Sequence, residues 1–146
     1  MSTKIKKKPD IEVGQLVDRL MRAIHSDLGR KAPAFDREKV GPAGGMVLMV
    51  LADNEPMAIH ELVRTIARDK AQVTRLLQTL GTKGLVEKSQ SPTDGRVCVL
   101  RLTCKGWKTV ARLRYAIAET ISGLLEPFNG QERDNLKMLL KKVFDR

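Results

Sequence analysis

Within KAQVTRLLQTLGT, residues 70–82, one side of a helical wheel collects Ala71, Gln72, Arg75, Gln78, Thr79 and Thr82, with Lys70 and Thr74 at its margins. These side chains could read a nucleic acid. An arginine can hold guanine O6 and N7 with two parallel bonds, and a glutamine can hold adenine N6 and N7 in the same way. Threonine and lysine suit phosphate oxygens. No aspartate or glutamate occurs from Lys70 through Val86, so no carboxylate on this surface repels a phosphate. The competing reading is an ordinary amphipathic helix with a solvated polar face.

A second candidate lies in Ser91-Pro92-Thr93-Asp94-Gly95-Arg96. Asp94-Gly95 is a turn dipeptide, and Pro92 keeps the tip from extending a strand ladder. An arginine at such a tip suits a narrow minor groove, where negative potential concentrates. Asp94 would position Arg96 by pairing with it or by bonding the turn backbone. The alternative is a tight turn carrying a solvated arginine.

Other chemistry is sparse. The only histidines are His25 and His60, each on an expected helix, and no glycine-rich phosphate loop, metal-ligand cluster or nucleophile motif is present. An enzyme is not expected, and neither is a metal or cofactor. Cys98 and Cys104 make no disulfide framework. Cys104, beside Lys105 at a helix start, has some electrostatic case for a reactive thiolate; plain thiols are the simpler reading. Met21, Met46, Met49 and Trp107 could line an adaptable ligand pocket, although methionines at helical spacing are more often core.

The elements that must hold these residues follow from periodicity. Residues 1–10 form a lysine-rich, flexible tail broken by Pro9. From Ile11 the apolar positions Val13, Leu16, Val17, Leu20, Ile24 and Leu28 predict a helix that fades near Gly29, with a loop at Pro33. A second helix runs from about Pro42 to Ala52, its start weakened by Gly44-Gly45, and ends at Asn54-Glu55-Pro56. Residues 59–67 fit a short helix with Leu62, Val63 and Ile66 inward. Asp69 and Gln72 have capping-box spacing for the next one, whose stripe is Val73, Leu76, Leu77 and Leu80; Gly84 stops it. The period then changes to two on either side of the tip, giving a hairpin too small to stand alone. Thr103 caps a long helix through Leu124, and Asn129 with Glu132 caps a last one. A short helix, a tight turn, a capped helix and a hairpin make a helix-turn-helix with a wing, its second helix placed for the major groove.

The totals agree. Twenty-seven Lys and Arg against 17 Asp and Glu give a net charge of +10, which attracts polyanions, nucleic acid foremost. The longest apolar run, residues 46–52, is far too short to cross a bilayer, and no secretory signal follows the N-terminal lysines. A cytoplasmic protein without membrane association is expected.

The run VTRLLQTLGTKGLVEKSQSPTDGRVCVLRLTCKG, residues 73–106, resembles the core signature of the MarR family of winged-helix transcriptional regulators. The matching pieces are Val73-Thr74-Arg75-Leu76, Leu80, Lys83-Gly84-Leu85-Val86, Asp94-x-Arg96 and Leu102-Thr103-x-x-Gly106, with Glu61-Leu62 upstream. Counting the helices at both ends, the resemblance covers nearly the whole chain. There are two departures. Ala58 and Ile59 occupy positions where polar caps are common, and Gly95 replaces a basic residue often found in the wing tip.

The resemblance implies a mainly α fold with a small β wing. Residues 11–146 would form one MarR-like domain, with 41–103 as the DNA-binding lobe and 11–40 and 104–146 as dimerisation helices. It implies a homodimeric regulator, more often a repressor, bound to a near-palindromic operator in double-stranded DNA and released in some members by a small-molecule effector. The expected DNA-binding residues are Lys70, Ala71, Gln72, Thr74, Arg75, Gln78 and Thr79 on the recognition helix, with Thr93, Asp94, Gly95 and Arg96 on the wing. The rival reading is a winged helix used for protein contacts without specific DNA binding.

Overall fold

The computed structural model describes residues 7–145; most of the expected lysine tail, residues 1–6, lies outside the described residues, while residues 7–10 are irregular and exposed. Nine elements follow: α1 (Ile11–Phe35), α2 (Gly41–Asn54), β1 (Met57–Ala58), α3 (Ile59–Ile66), α4 (Lys70–Thr82), β2 (Val86–Gln90), β3 (Cys98–Leu102), α5 (Cys104–Leu124) and α6 (Gly130–Phe144). Among the described residues no helix is long and apolar enough to cross a membrane. Their contacts define two compact units, one of residues 32–118 and the other of residues 7–31 with 119–145.

In the unit Ala32–Ala118, Val47, Leu48, Leu51, Leu62, Val73, Leu80, Leu85 and Leu100 are buried together, so α2, α3, α4 and the sheet share one core. The glycine pair that weakens α2 on propensity is what lets it pack: Gly44 and Gly45 are buried, Gly44 close to Val40 and Gly45 against Leu113. The carboxylate of Asp36 accepts the N–H groups of Val40 and Gly41, both at 3.0 Å, and so replaces an N-cap side chain. Two expectations about the extent of the elements are corrected by the structure, and the first concerns α1. It does not fade at Gly29 but runs through Pro33 to Phe35. A proline so near the end removes only one ladder bond; the Asp36 N–H still reaches the Ala32 carbonyl at 2.8 Å, and Phe35 packs against the core.

The second concerns the hairpin, which is not two-stranded. Met57 and Ala58 pair antiparallel with Leu100 and Val99, giving a three-stranded sheet in the order β1-β3-β2. Two residues show no periodicity, so only the tertiary structure reveals them. β2 and β3 pair from Val86↔Leu102 to Gln90↔Cys98. Glu55 accepts the Leu102 N–H at 2.7 Å and ties the end of α2 to the end of β3. Gly84 has φ of +72°, the left-handed conformation expected of a helix stop. Thr103 caps α5: its hydroxyl donates to the Gly84 carbonyl at 2.6 Å and accepts the Gly106 N–H at 3.0 Å. Gly106 is buried against the Leu85 carbonyl, where a side chain would collide with the backbone.

The other unit is held differently. Asp27 accepts from Thr120 Oγ1 at 2.8 Å and pairs with Lys31 and Arg30, each at 2.7 Å. The Lys31 bond, then the Thr120 bond, holds the Asp27 carboxyl below the usual aspartate range. Asn129 and Glu132 form the reciprocal cap expected for α6, at 2.9 and 3.0 Å. Neither α1 nor α6 contains a buried residue. Leu16, Val17 and Leu20 of α1 and Met138, Leu139 and Leu140 of α6 all stand exposed.

Candidate nucleic-acid interface

The polar face of α4 is presented because the opposite face is fixed. Val73, Leu77 and Leu80 are buried and Leu76 is half-buried, which leaves Lys70, Ala71, Gln72, Thr74, Arg75, Gln78, Thr79 and Thr82 exposed. Asp69 caps the helix, accepting the Gln72 N–H at 3.0 Å. The return bond of the expected capping box does not form. A neutral amide oxygen is a weaker acceptor than a carboxylate, and the Gln72 side chain stays free at the surface. The hydroxyls of Thr74, Thr79 and Thr82 donate to Lys70, Arg75 and Gln78 carbonyls at 2.8–3.1 Å. In the free protein these threonines therefore offer methyls and acceptor lone pairs outward, a surface for thymine methyls rather than for phosphate oxygens.

At the wing, Thr93, Asp94, Gly95 and Arg96 are all exposed. Asp94 Oδ1 accepts the Arg96 backbone N–H at 3.0 Å. Of the two roles open to Asp94, the structure shows the backbone bond, and among the described residues the Arg96 guanidinium has no carboxylate within ion-pair distance.

The same pattern runs from Met57 to Thr103. This stretch holds eight Lys and Arg residues (Arg64, Arg68, Lys70, Arg75, Lys83, Lys88, Arg96, Arg101) against four carboxylates, Glu61, Asp69, Glu87 and Asp94. All seven ion pairs among the described residues fall outside it. Three of its four carboxylates accept backbone N–H groups instead: Glu61 from Ala58, Asp69 from Gln72 and Asp94 from Arg96. The acids shape the backbone while the cations stay unneutralised. Arg64, Arg68 and Lys88, exposed and without a carboxylate partner among the described residues, are cations that the sequence reading missed. For Arg64 the signal was the position of Glu61, whose carboxylate accepts the Ala58 N–H rather than pairing with it. Ala58 has no side-chain cap, as expected, and Glu61 supplies the remaining bond at 3.4 Å. Cys98 and Cys104 are both free and exposed.

A short helix, a tight turn, a second helix presenting a polar face and a β wing with a basic tip define a winged helix-turn-helix lobe. The MarR family model matches residues 43–98, and that lobe is a MarR-family domain. The family is one of transcriptional regulators, not of enzymes. The chain is similar to the putative transcriptional regulatory protein for the hcr operon of Thauera aromatica, 28% identical over 107 residues, which cover 73% of this chain and 64% of that protein. It is similar also to the transcriptional repressor NicR of Pseudomonas putida, 30% identical over 101 residues, 68% of this chain and 63% of that protein. The alignments span 58–66% of the length of the curated relatives matched.

Solved structures share the fold. A crystal structure of MarR superposes with a TM-score of 0.72 at 19% identity, covering 91% of this chain and 95% of that one. The transcriptional repressor CouR bound to a 23-mer DNA duplex gives 0.66 at 26% identity, covering 94% and 99%. The PcaV regulator of Streptomyces coelicolor, in complex with its natural ligand, gives 0.62 at 25% identity, covering 99% and 97%.

Proposed function

We propose that the chain is a sequence-specific, double-stranded DNA-binding regulator of transcription that acts in the cytoplasm as a homodimeric repressor on a near-palindromic operator. The observation that carries this reading is the segment between Met57 and Thr103, where eight cations have no ion-pair partner among the described residues and three of four carboxylates are engaged by backbone N–H groups. Phosphates would neutralise those cations with release of condensed counterions. The polar face of α4 would lie in the major groove, with Arg75, Gln72 and Gln78 reading base edges. Lys70, Ala71, Thr74 and Thr79 would complete that contact surface. Thr93, Asp94, Gly95 and Arg96 would approach the adjacent minor groove, and Arg64, Arg68 and Lys88 would meet flanking phosphates. The DNA-bound CouR structure supports the class of partner.

The dimer is supported by α1 and α6, which contain no fully buried residue while exposing Leu16, Val17, Leu20, Met138, Leu139 and Leu140. A two-fold partner would cover them and present two recognition helices to half-sites about one helical turn, roughly 10 bp, apart. Release by a small-molecule effector belongs to the proposal through the ligand-bound PcaV relative.

Selection of bound duplexes from a random pool tests the whole. The expected result is a two-fold motif whose affinity falls steeply with salt, by about 0.9 in log K per decade of salt for each phosphate contacted. A flat salt response with no enriched motif would instead fit a winged helix used for protein contacts.

A further inference from the structure

Building on the DNA-binding reading above, we propose that Ser91 is a positioning residue for Arg96: its hydroxyl fixes the wing tip in the shape that delivers an unpaired guanidinium to the minor groove. Pro92 has no N–H to give, and five of the remaining N–H groups from Ser91 to Val97 are bonded inside the tip. Ser91 N–H reaches the Val97 carbonyl at 2.8 Å, and Val97 N–H returns to the Asp94 carbonyl at 3.1 Å. Arg96 N–H reaches Asp94 Oδ1 at 3.0 Å. The last two, from Thr93 and Asp94, both end on Ser91 Oγ at 3.3 Å. That oxygen also lies 3.2 Å from Thr93 Oγ1, so its hydrogen-bonding capacity of one donor and two acceptors is filled.

Water could satisfy every one of these exposed groups, so the bonds are there for shape rather than for satisfaction. The carboxylate that could have neutralised Arg96 is held instead at its backbone, and the charge is left available. A lysine meeting a phosphate tolerates a loose loop. An arginine entering a groove roughly 6 Å wide gains from a loop that is already ordered, because the ordering cost on binding falls. Alanine at position 91 loses all three contacts of the hydroxyl; threonine keeps it.

The test uses the full chain and a duplex recovered by the parent protein from a random pool. Ser91→Ala should weaken binding by about three- to tenfold, the net worth of one or two hydrogen bonds, while Ser91→Thr stays within about twofold of the parent. In an Arg96→Ala background Ser91→Ala should cost less than about twofold more, whereas with Arg75→Ala the two effects should multiply. Faster amide exchange at Thr93 and Asp94 in Ser91→Ala should accompany the loss. Unchanged affinity for Ser91→Ala, or full additivity with Arg96→Ala, overturns the proposal. Parent-like binding by Arg96→Ala overturns it together with the wing assignment. If Arg96→Ala binds weakly and Ser91→Ala binds like the parent, only the positioning role is lost and the DNA-binding reading stands.

Discussion

At the scale of single residues, Arg75 and Arg96 are exposed, without carboxylate partners among the described residues, and placed on two different structural supports, and so they should fail differently. Arg75→Ala should cost on the order of 1–3 kcal/mol and relax one base position of the selected motif, if it holds a base edge in two-pronged fashion. Arg96→Ala should weaken binding most where A·T pairs lie beneath the wing, since that is where the groove is narrow. Binding measured on motif variants separates the two. The types and places of these residues were readable from the sequence, because a polar stripe opposite Val73, Leu77 and Leu80 needs only a helical wheel. The Asp69 cap was readable too, but not every hydrogen bond around them was. That Thr74 and Thr79 turn their hydroxyls back onto the helix, and that Gln72 leaves its cap half made, depends on competition between neighbouring acceptors at distances a sequence does not encode.

Elements were legible wherever the period was long. α4, α5 and α6 begin at the caps that Asp69, Thr103 and Asn129 announce. The misses came where tertiary contacts override local preference: Phe35 carries α1 past Pro33, and Leu100 and Val99 recruit Met57 and Ala58 into the sheet. Thr103 has more than a local duty, since it joins the end of the α4–β2 turn to the start of α5. Thr103→Val keeps the shape and removes both bonds, and a loss of about 1–2 kcal/mol by denaturant unfolding is expected. Asp27 joins α1 to Thr120 in the same manner. Its carboxyl is depressed by Lys31 and Thr120, so the stabilisation is fully present above the ordinary aspartate range and disappears as pH falls through the depressed value. Asp27→Asn should therefore lower Tm at neutral pH, and its difference from the parent should narrow in melts taken below about pH 4.

For the whole molecule, the exposed leucines of α1 and α6 are the apolar surface most in want of cover. In the proposed homodimer, replacing Leu20 and Leu139 together by glutamate should raise the dissociation constant by about two orders of magnitude or more. Sedimentation would show the monomer, and operator binding should go with it. The fold class was readable from the order of elements. The excess apolar surface of the terminal helices was readable as well; which of their residues stand exposed was not, because an apolar stripe buried within its own chain has the same spacing as one left open. β1 adds a mechanical constraint. Its two residues run straight into α3 while laddered to β3, so no free peptide separates the wing from the first helix of the motif. The base of the wing is thereby fastened to the start of α3 at Val99 and Leu100. Bending the sheet at the level of Val99 and Leu100 would have to open the β1–β3 pairing, whereas the tip, residues 91–97, lies beyond it.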